Sequence, residues 1–250
     1  MSGHSKWHNI QKTKGAADAK KAKIFTKYAR EMAIAIKEGG GADPNSNSKL
    51  AAVISRDKSE NVPNDNIKRT LDKYKSGAAT ENYEHVTYEG YGPGGVAVLV
   101  DALTDNKNRT VAEVRHYLDK YGKGMGASGC VSWQFDKKGF IAIDGEDLDE
   151  ETVMMQALEA GASDFQVEEN IFEIYTEPDD FDAVKDALKA EGLEILEAEI
   201  QMIPQTYTAL TNEDDIKNME KMLEAMEAND DIQDVWHNWE ELFRNLSNEK

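Results

Sequence analysis

Residues 137–204 read KKGFIAIDGEDLDEETVMMQALEAGASDFQVEENIFEIYTEPDDFDAVKDALKAEGLEILEAEIQMIP, and their periodicity decides the fold. Apolar residues mark a strand at Phe140–Ile143, and a helical pattern covers Glu150–Ala160. Two more strands fall around Phe165–Val167 and Ile171–Tyr175, a second helix runs from Pro178 to Ala190, and a last strand spans Ile195–Ile203. That order, β-α-β-β-α-β, is the split ferredoxin-like arrangement, whose antiparallel sheet buries one face under two helices.

Upstream, Val86–Glu89 alternates like a strand, Gly90–Gly95 is a turn, and Val96–Val100 is a buried strand. Thr110 with Glu113 forms a capping-box pattern ahead of Val111, Val114, Tyr117 and Leu118, which predicts a helix start there. The glycine-rich run Gly122–Gly129 is expected to be irregular, and Cys130–Phe135 to resume as a strand. Downstream come a strand at Thr206–Leu210, a helix from Thr211 bearing Ile216, Met219, Met222, Leu223 and Met226, and a strand at Ile232–Trp236. The methionines read as core rather than as a binding stripe. These pieces complete one another, so residues 78–136 with 205–240 are expected to form a discontinuous α/β middle domain into which 137–204 is inserted.

Residues 20–77 read as three short helices. The first carries Ile24, Phe25, Tyr28, Met32 and Ile36 at helical spacing and stops at Gly39-Gly40-Gly41. Asp43-Pro44 offers a start for the second, with Leu50, Val53 and Ile54 inward, and Asn66–Lys75 forms the third, with Ile67, Leu71 and Tyr74 inward. Residues 1–19 are expected to be a mobile basic arm and 241–250 a tail. The predicted class is therefore α+β: a small N-terminal three-helix domain followed by two helix-on-antiparallel-sheet domains, one ferredoxin-like and inserted into the other.

Charge points to function. Met1–Lys37 holds nine Lys/Arg against two acids, inside a chain whose formal net charge is −19. Residues 1–75 carry 16 basic and 8 acidic residues, net +8, and the remainder carries −27. Clustered cations release counterions from a polyanion and a nearby ring stacks on bases. The candidate nucleic-acid-binding residues are accordingly Lys6, Trp7, Lys12, Lys14, Lys20, Lys21, Lys23, Lys27, Arg30, Arg56, Lys68 and Arg69. On the helical wheel Lys20, Lys23, Lys27 and Arg30 fall opposite the apolar face and are expected to point outward. Lys123, Met125 and Ser128 are candidate partner-contact residues of the glycine-rich loop.

Other chemistry fits less well. Gly90-x-Gly92-x-x-Gly95 and Gly124-x-Gly126-x-x-Gly129 match the dinucleotide glycine pattern, yet both precede strands and neither opens a helix, so no cofactor is expected. His4 and His8 have no third ligand nearby, and no metal site is expected. The acids Glu146, Asp147, Asp149, Glu150 and Glu151 sit where a helix start favours negative charge. A metal-dependent nuclease, which would need carboxylates set against a basic groove, is the remote alternative, and the chain is expected not to be an enzyme. Cys130 is the single cysteine, which excludes an intramolecular disulfide, and no stretch has the apolar length of a membrane span. A cytoplasmic protein with no membrane contact and no small-molecule substrate is the expectation.

Five strings together resemble one family. Gly3-His4-Ser5-Lys6-Trp7, Asp18-Ala19-Lys20-Lys21, Lys23-Ile24-Phe25-Thr26-Lys27, Tyr88–Gly95 and Leu103–Thr110 stand in the order and spacing of the YebC/PmpR family, and the resemblance covers nearly the whole chain. It implies a three-domain architecture, cytoplasmic location and a transcriptional regulator that binds DNA. It also implies an alternative, a ribosome-associated translation factor or translational activator that contacts rRNA and relieves stalling.

Overall fold

The structure, a computed structural model, describes residues 17–59, 62–79, 82–168 and 170–240; the side chains of residues 17–24, 57 and 59 lie outside the description. The elements are α1 (Ala17–Glu38), α2 (Ser48–Ser59), α3 (Asn64–Lys75), β1 (Glu84–Tyr91), β2 (Ala97–Thr104), α4 (Lys107–Tyr121), β3 (Gly124–Met125) and β4 (Phe135–Asp144). There follow α5 (Glu150–Ala160), β5 (Asp164–Glu168), β6 (Ile171–Thr176), α6 (Phe181–Ala190), β7 (Ile195–Pro204), β8 (Thr208–Ala209), α7 (Glu213–Glu227), β9 (Ile232–His237) and β10 (Trp239–Glu240). The chain divides into two compact units, one of Ala16–Cys130 with Asn212–Val235, the other built around Val131–Thr211. The class is α+β, with an N-terminal helical region followed by sheets.

In the first unit, α1, α2 and α3 bury Tyr28, Met32, Ala35, Ile36, Leu50, Ile54, Val62 and Ile67 against one another. Asn47 holds the turn between α1 and α2. Its amide donates to the Ala35 carbonyl at 2.8 Å and to that of Gly41 at 2.9 Å, while its Oδ1 accepts from Leu50 N–H at 3.1 Å. One buried side chain thus closes α1 and opens α2, and it does so where Asp43-Pro44 was expected to. A Cβ on Gly39 would sit 2.0 Å from the Asn47 side chain, so glycine is required for that approach.

The same unit holds a four-stranded sheet in the order β3-β1-β2-β9. Every residue of β2 is buried, the polar Asp101 and Thr104 included, and its first half lies in the apolar run Val96–Val100 that predicts a buried strand. Val114 and Leu118 of α4 and Met219, Met222 and Met226 of α7 have no exposed surface, so the methionines are core. The cap of α4 differs from expectation: Asn106 is the N-cap, accepting from Arg109 N–H at 3.1 Å. Thr110 lies inside the helix, fully buried, with its hydroxyl in a polar cluster described below.

The second unit contains a sheet ordered β5-β6-β4-β7, all antiparallel, which is the β-α-β-β-α-β arrangement expected of 137–204. Ile141, Ile143, Phe172 and Ile174 pack under Val153 and Ala157 of α5 and Phe181, Val184 and Leu188 of α6. Two flanking strands depart from expectation. Ser132–Gln134 is a single 3-10 turn, with the strand beginning only at Phe135. β8 pairs in parallel with β10, Thr208 beside Trp239, rather than joining the β1–β2 sheet. Strand propensity marks extended backbone, and the partner strand is chosen by long-range packing.

Candidate nucleic-acid interface

The expected cationic face of α1 is only partly realised. Lys6, Trp7, Lys12 and Lys14 lie outside the described residues, as do the side chains of Lys20, Lys21 and Lys23, whose backbone belongs to α1. Lys27 Nζ is 2.8 Å from Asp234 Oδ1 and 3.3 Å from the Gln233 carbonyl. Arg30 is 12% exposed; its Nη1 donates to Asp231 Oδ1 at 2.8 Å and to the Leu103 carbonyl at 2.7 Å. Its guanidinium also stands 5.2 Å from the Tyr83 ring centroid. Lys27 and Arg30 therefore fasten α1 to β2 and β9 instead of facing outward, a correction to the wheel-based expectation. A helical wheel shows one apolar face and cannot show that acids some two hundred residues later will cover the other.

Asp231 is the centre of this joint and is 4% exposed. Its Oδ2 accepts from Arg109 Nη2 at 2.6 Å, Arg109 Nε at 3.0 Å, Thr110 Oγ1 at 2.8 Å and Thr104 Oγ1 at 3.2 Å. Its backbone carbonyl accepts from Leu103 N–H at 2.8 Å. Burial pushes the carboxyl upward, but the hydrogen bonds from Arg109, Thr110 and Arg30 outweigh it and hold Asp231 below the usual carboxylate value. Sequence inspection missed this residue. The only signal was an acid placed just ahead of a strand, which is common.

Nearby, His85 Nε2 is 2.9 Å from Asp101 Oδ2. The hydrogen bond to Asp101 raises the imidazole above its ordinary pKa, against partial burial. A raised folded-state pKa stabilises the fold below the unfolded value and the gain disappears as pH rises through the folded one. His85→Gln is accordingly expected to lower the melting temperature near pH 5.5 and to leave it unchanged near pH 8.5. The half-exposed pair limits the effect to about 1 kcal/mol or less. A pH-independent shift in a melting series would refute this.

Further cations of the helical region divide into two groups. Arg56 is ion-paired with Glu31 and sits over the Tyr28 ring, Lys49 pairs with Glu38 at 2.6 Å, and Lys37 donates to Asn82. Lys68 and Arg69, with Lys58 and Lys75, are exposed and have no ion-pair partner among the described residues. Lys68 and Lys75 stand two turns apart along one side of α3. Lys58 and Lys75 were not among the sequence candidates, although Lys75 follows Lys68 by a helical interval of seven.

The glycine-rich segment is more ordered than expected. β3 pairs with β1, Gly90 opposite Met125 and Tyr91 opposite Gly124. Gly126 N–H donates to the Glu89 carbonyl at 2.8 Å, Gly129 N–H to Glu89 Oε1 at 2.7 Å, and Tyr91 Oη to the Cys130 carbonyl at 3.1 Å. Lys123 and Ser128 are exposed and Met125 is half-buried. Glycines serve here to let backbone approach backbone, which composition alone reads as looseness.

Two family models match, one described as the TACO1/YebC protein N-terminal domain over residues 5–77 and one as the TACO1/YebC second and third domain over residues 83–239. The chain belongs to the TACO1/YebC family. A relative from Ruminiclostridium cellulolyticum is 54% identical over 96% of this chain and 97% of its own, and is named "Probable transcriptional regulatory protein". A relative of the same name from Acetivibrio thermocellus is 52% identical, covering 96% of this chain and 99% of its own. Among solved structures, a conserved hypothetical protein from Aquifex aeolicus superposes with a TM-score of 0.78 at 40% identity, over 92% of this chain and 94% of that one. These relatives match 92–96% of the chain. No helix among the described residues is long and apolar enough to cross a membrane.

Proposed function

We propose that the protein is a non-enzymatic, cytoplasmic regulator of gene expression that binds DNA through the basic residues of its N-terminal third. The observation that carries this reading is the set of exposed cations on and before α3, Lys58, Lys68, Arg69 and Lys75, none of which is ion-paired among the described residues. They would act with Lys6, Trp7, Lys12, Lys14, Lys20, Lys21 and Lys23, whereas Lys27 and Arg30 serve the fold. The name carried by the relatives agrees with a regulator. Fluorescence anisotropy with labelled duplex DNA tests it. The variant Lys68→Glu/Arg69→Glu/Lys75→Glu is expected to weaken binding at least about tenfold and to flatten the salt dependence, because each lost phosphate contact removes about one released counterion. Its melting transition should barely move, since exposed substitutions shift stability by about 0.5 kcal/mol or less each. Undiminished binding by that variant would overturn the assignment.

A second reading, a translation factor on the ribosome, is favoured by the charge of −27 beyond residue 75, which repels naked DNA and suits a partner of mixed charge. Co-sedimentation with ribosomes at moderate salt, together with weak and unselective binding of promoter DNA, would rank this reading first.

A further inference from the structure

The second unit carries a surface for which nucleic-acid binding has no use. Helix α5 buries Val153 and Ala157 against the sheet. On its outer side Met155 is 58% and Leu158 49% exposed, and Leu148, just ahead of the helix, is 39% exposed. Met155 and Leu158 are neighbours at i, i+3, so they form one stripe rather than two isolated residues. A solvent-facing helix ordinarily places polar residues there, and apolar surface on both sides is the mark of a helix that is covered twice. Alongside lies β5, the edge strand of its sheet, with Val167 exposed at 41%.

Charge says what could cover it. From Gly139 to Val184 the sequence contains 15 Asp and Glu and no Lys, Arg or His. Glu151 and Glu159 stand one turn to either side of Met155, both exposed, and Glu146, Asp147 and Glu150 are exposed at the start of the helix. None of these five is ion-paired among the described residues. Nucleic acid and anionic lipid would be repelled here. A second copy docking through the same face would set acid against acid, as like charges across an interface are strongly unfavourable.

We propose that the outer face of α5, bordered by β5, is a docking surface for a Lys/Arg-rich amphipathic helix of another protein. Its apolar side would seat on Met155, Leu158 and Leu148, and its cations would meet Glu151, Glu159 and the acids at the helix start. The proposal goes beyond nucleic-acid recognition and holds whichever nucleic acid the helical region takes.

The test uses the full chain and a fluorescent Lys/Leu amphipathic helical peptide, with a scrambled peptide of equal charge as control, at physiological ionic strength. The scrambled peptide is expected to bind at least about tenfold more weakly, and Met155→Ser/Leu158→Ser to lose at least about tenfold in affinity for the amphipathic one, since a few buried apolar anchors dominate such interfaces. Glu151→Gln/Glu159→Gln should weaken binding as well and reduce its salt dependence. All of these residues are exposed, so melting curves should coincide with that of the unsubstituted protein. Equal binding of both peptides, or no effect of Met155→Ser/Leu158→Ser, would overturn the proposal. Two further results would replace its occupant. Crosslinks from Lys6, Lys12 or Lys14 to Glu151 or Glu159 in the protein alone would assign the face to the chain's own N-terminal segment. A dimer in sedimentation velocity that Met155→Ser/Leu158→Ser dissolves would assign it to a second copy.

Discussion

Asp231→Ala is expected to destabilise the protein by about 3–5 kcal/mol, the range seen when one partner of a buried ion pair is removed. The carboxylate gathers Arg30 from α1, Thr104 from β2 and Arg109 and Thr110 from α4. Without it, Arg30 keeps only the Leu103 carbonyl and the Tyr83 ring, and its Nε is already buried without a partner. Two buried threonine hydroxyls lose an acceptor at the same time. Chemical denaturation followed by far-UV circular dichroism measures the loss, and a change below about 1 kcal/mol would contradict the role given to Asp231. The pH dependence supplies a second check. Because the folded carboxyl lies below its ordinary value of 3.8, its stabilisation is present above that value and fades as pH falls through the folded one. The gap between Asp231→Ala and the unsubstituted protein should therefore be full near pH 6 and shrink below about pH 4.

Gly122→Ala is expected to cost about 3 kcal/mol, the upper end of overpacking, because the added atom meets backbone rather than side chain. A Cβ there would lie 2.5 Å from the Tyr91 carbonyl oxygen, 2.8 Å from Gly92 Cα and 3.0 Å from the Leu118 carbonyl oxygen. None of the three can rotate away. The strand pairing of β3 with β1 begins two residues later, and Lys123 N–H donates to the same Tyr91 carbonyl at 2.8 Å. Relief of the clash should peel the segment from β1, so residues 122–130 should become the first site of limited proteolysis while α1, α2 and α3 stay resistant. Gly129→Ala is a useful comparison. Its φ of +85 makes the substitution unfavourable, but no heavy atom lies within 4 Å of the new Cβ, so a smaller loss without proteolysis at β3 is expected. Gly122 has a φ of −116 and carries no left-handed strain, so equal losses for the two variants would overturn the close approach as the source of its cost.

Several features were legible because they depend on neighbours in sequence. The strand and helix order of 137–204 followed from periodicity, and the spacing of Met219, Met222 and Met226 placed them in the core. The errors share one cause. Thr110 and Glu113 have the spacing of a capping box, yet Asn106 caps α4 because Thr110 is drawn inward to Asp231. Thr206–Leu210 has strand character, yet its pairing with Trp239–Glu240 depends on where the distant segment lies.

By itself the sequence determined the secondary-structure periods, the α+β class, the family and the segregation of positive charge into the first third, since each is a sum over local residues. Only the tertiary structure decided which charges remain available. Lys27 and Arg30 are spent on Asp234 and Asp231, whereas Lys68, Arg69 and Lys75 stay at the surface. The same structure left Met155 and Leu158 exposed on a helix whose other side is buried. An ion pair or a covered face exists only when two segments far apart in the chain come within a few ångströms, and no local count of residues contains that information.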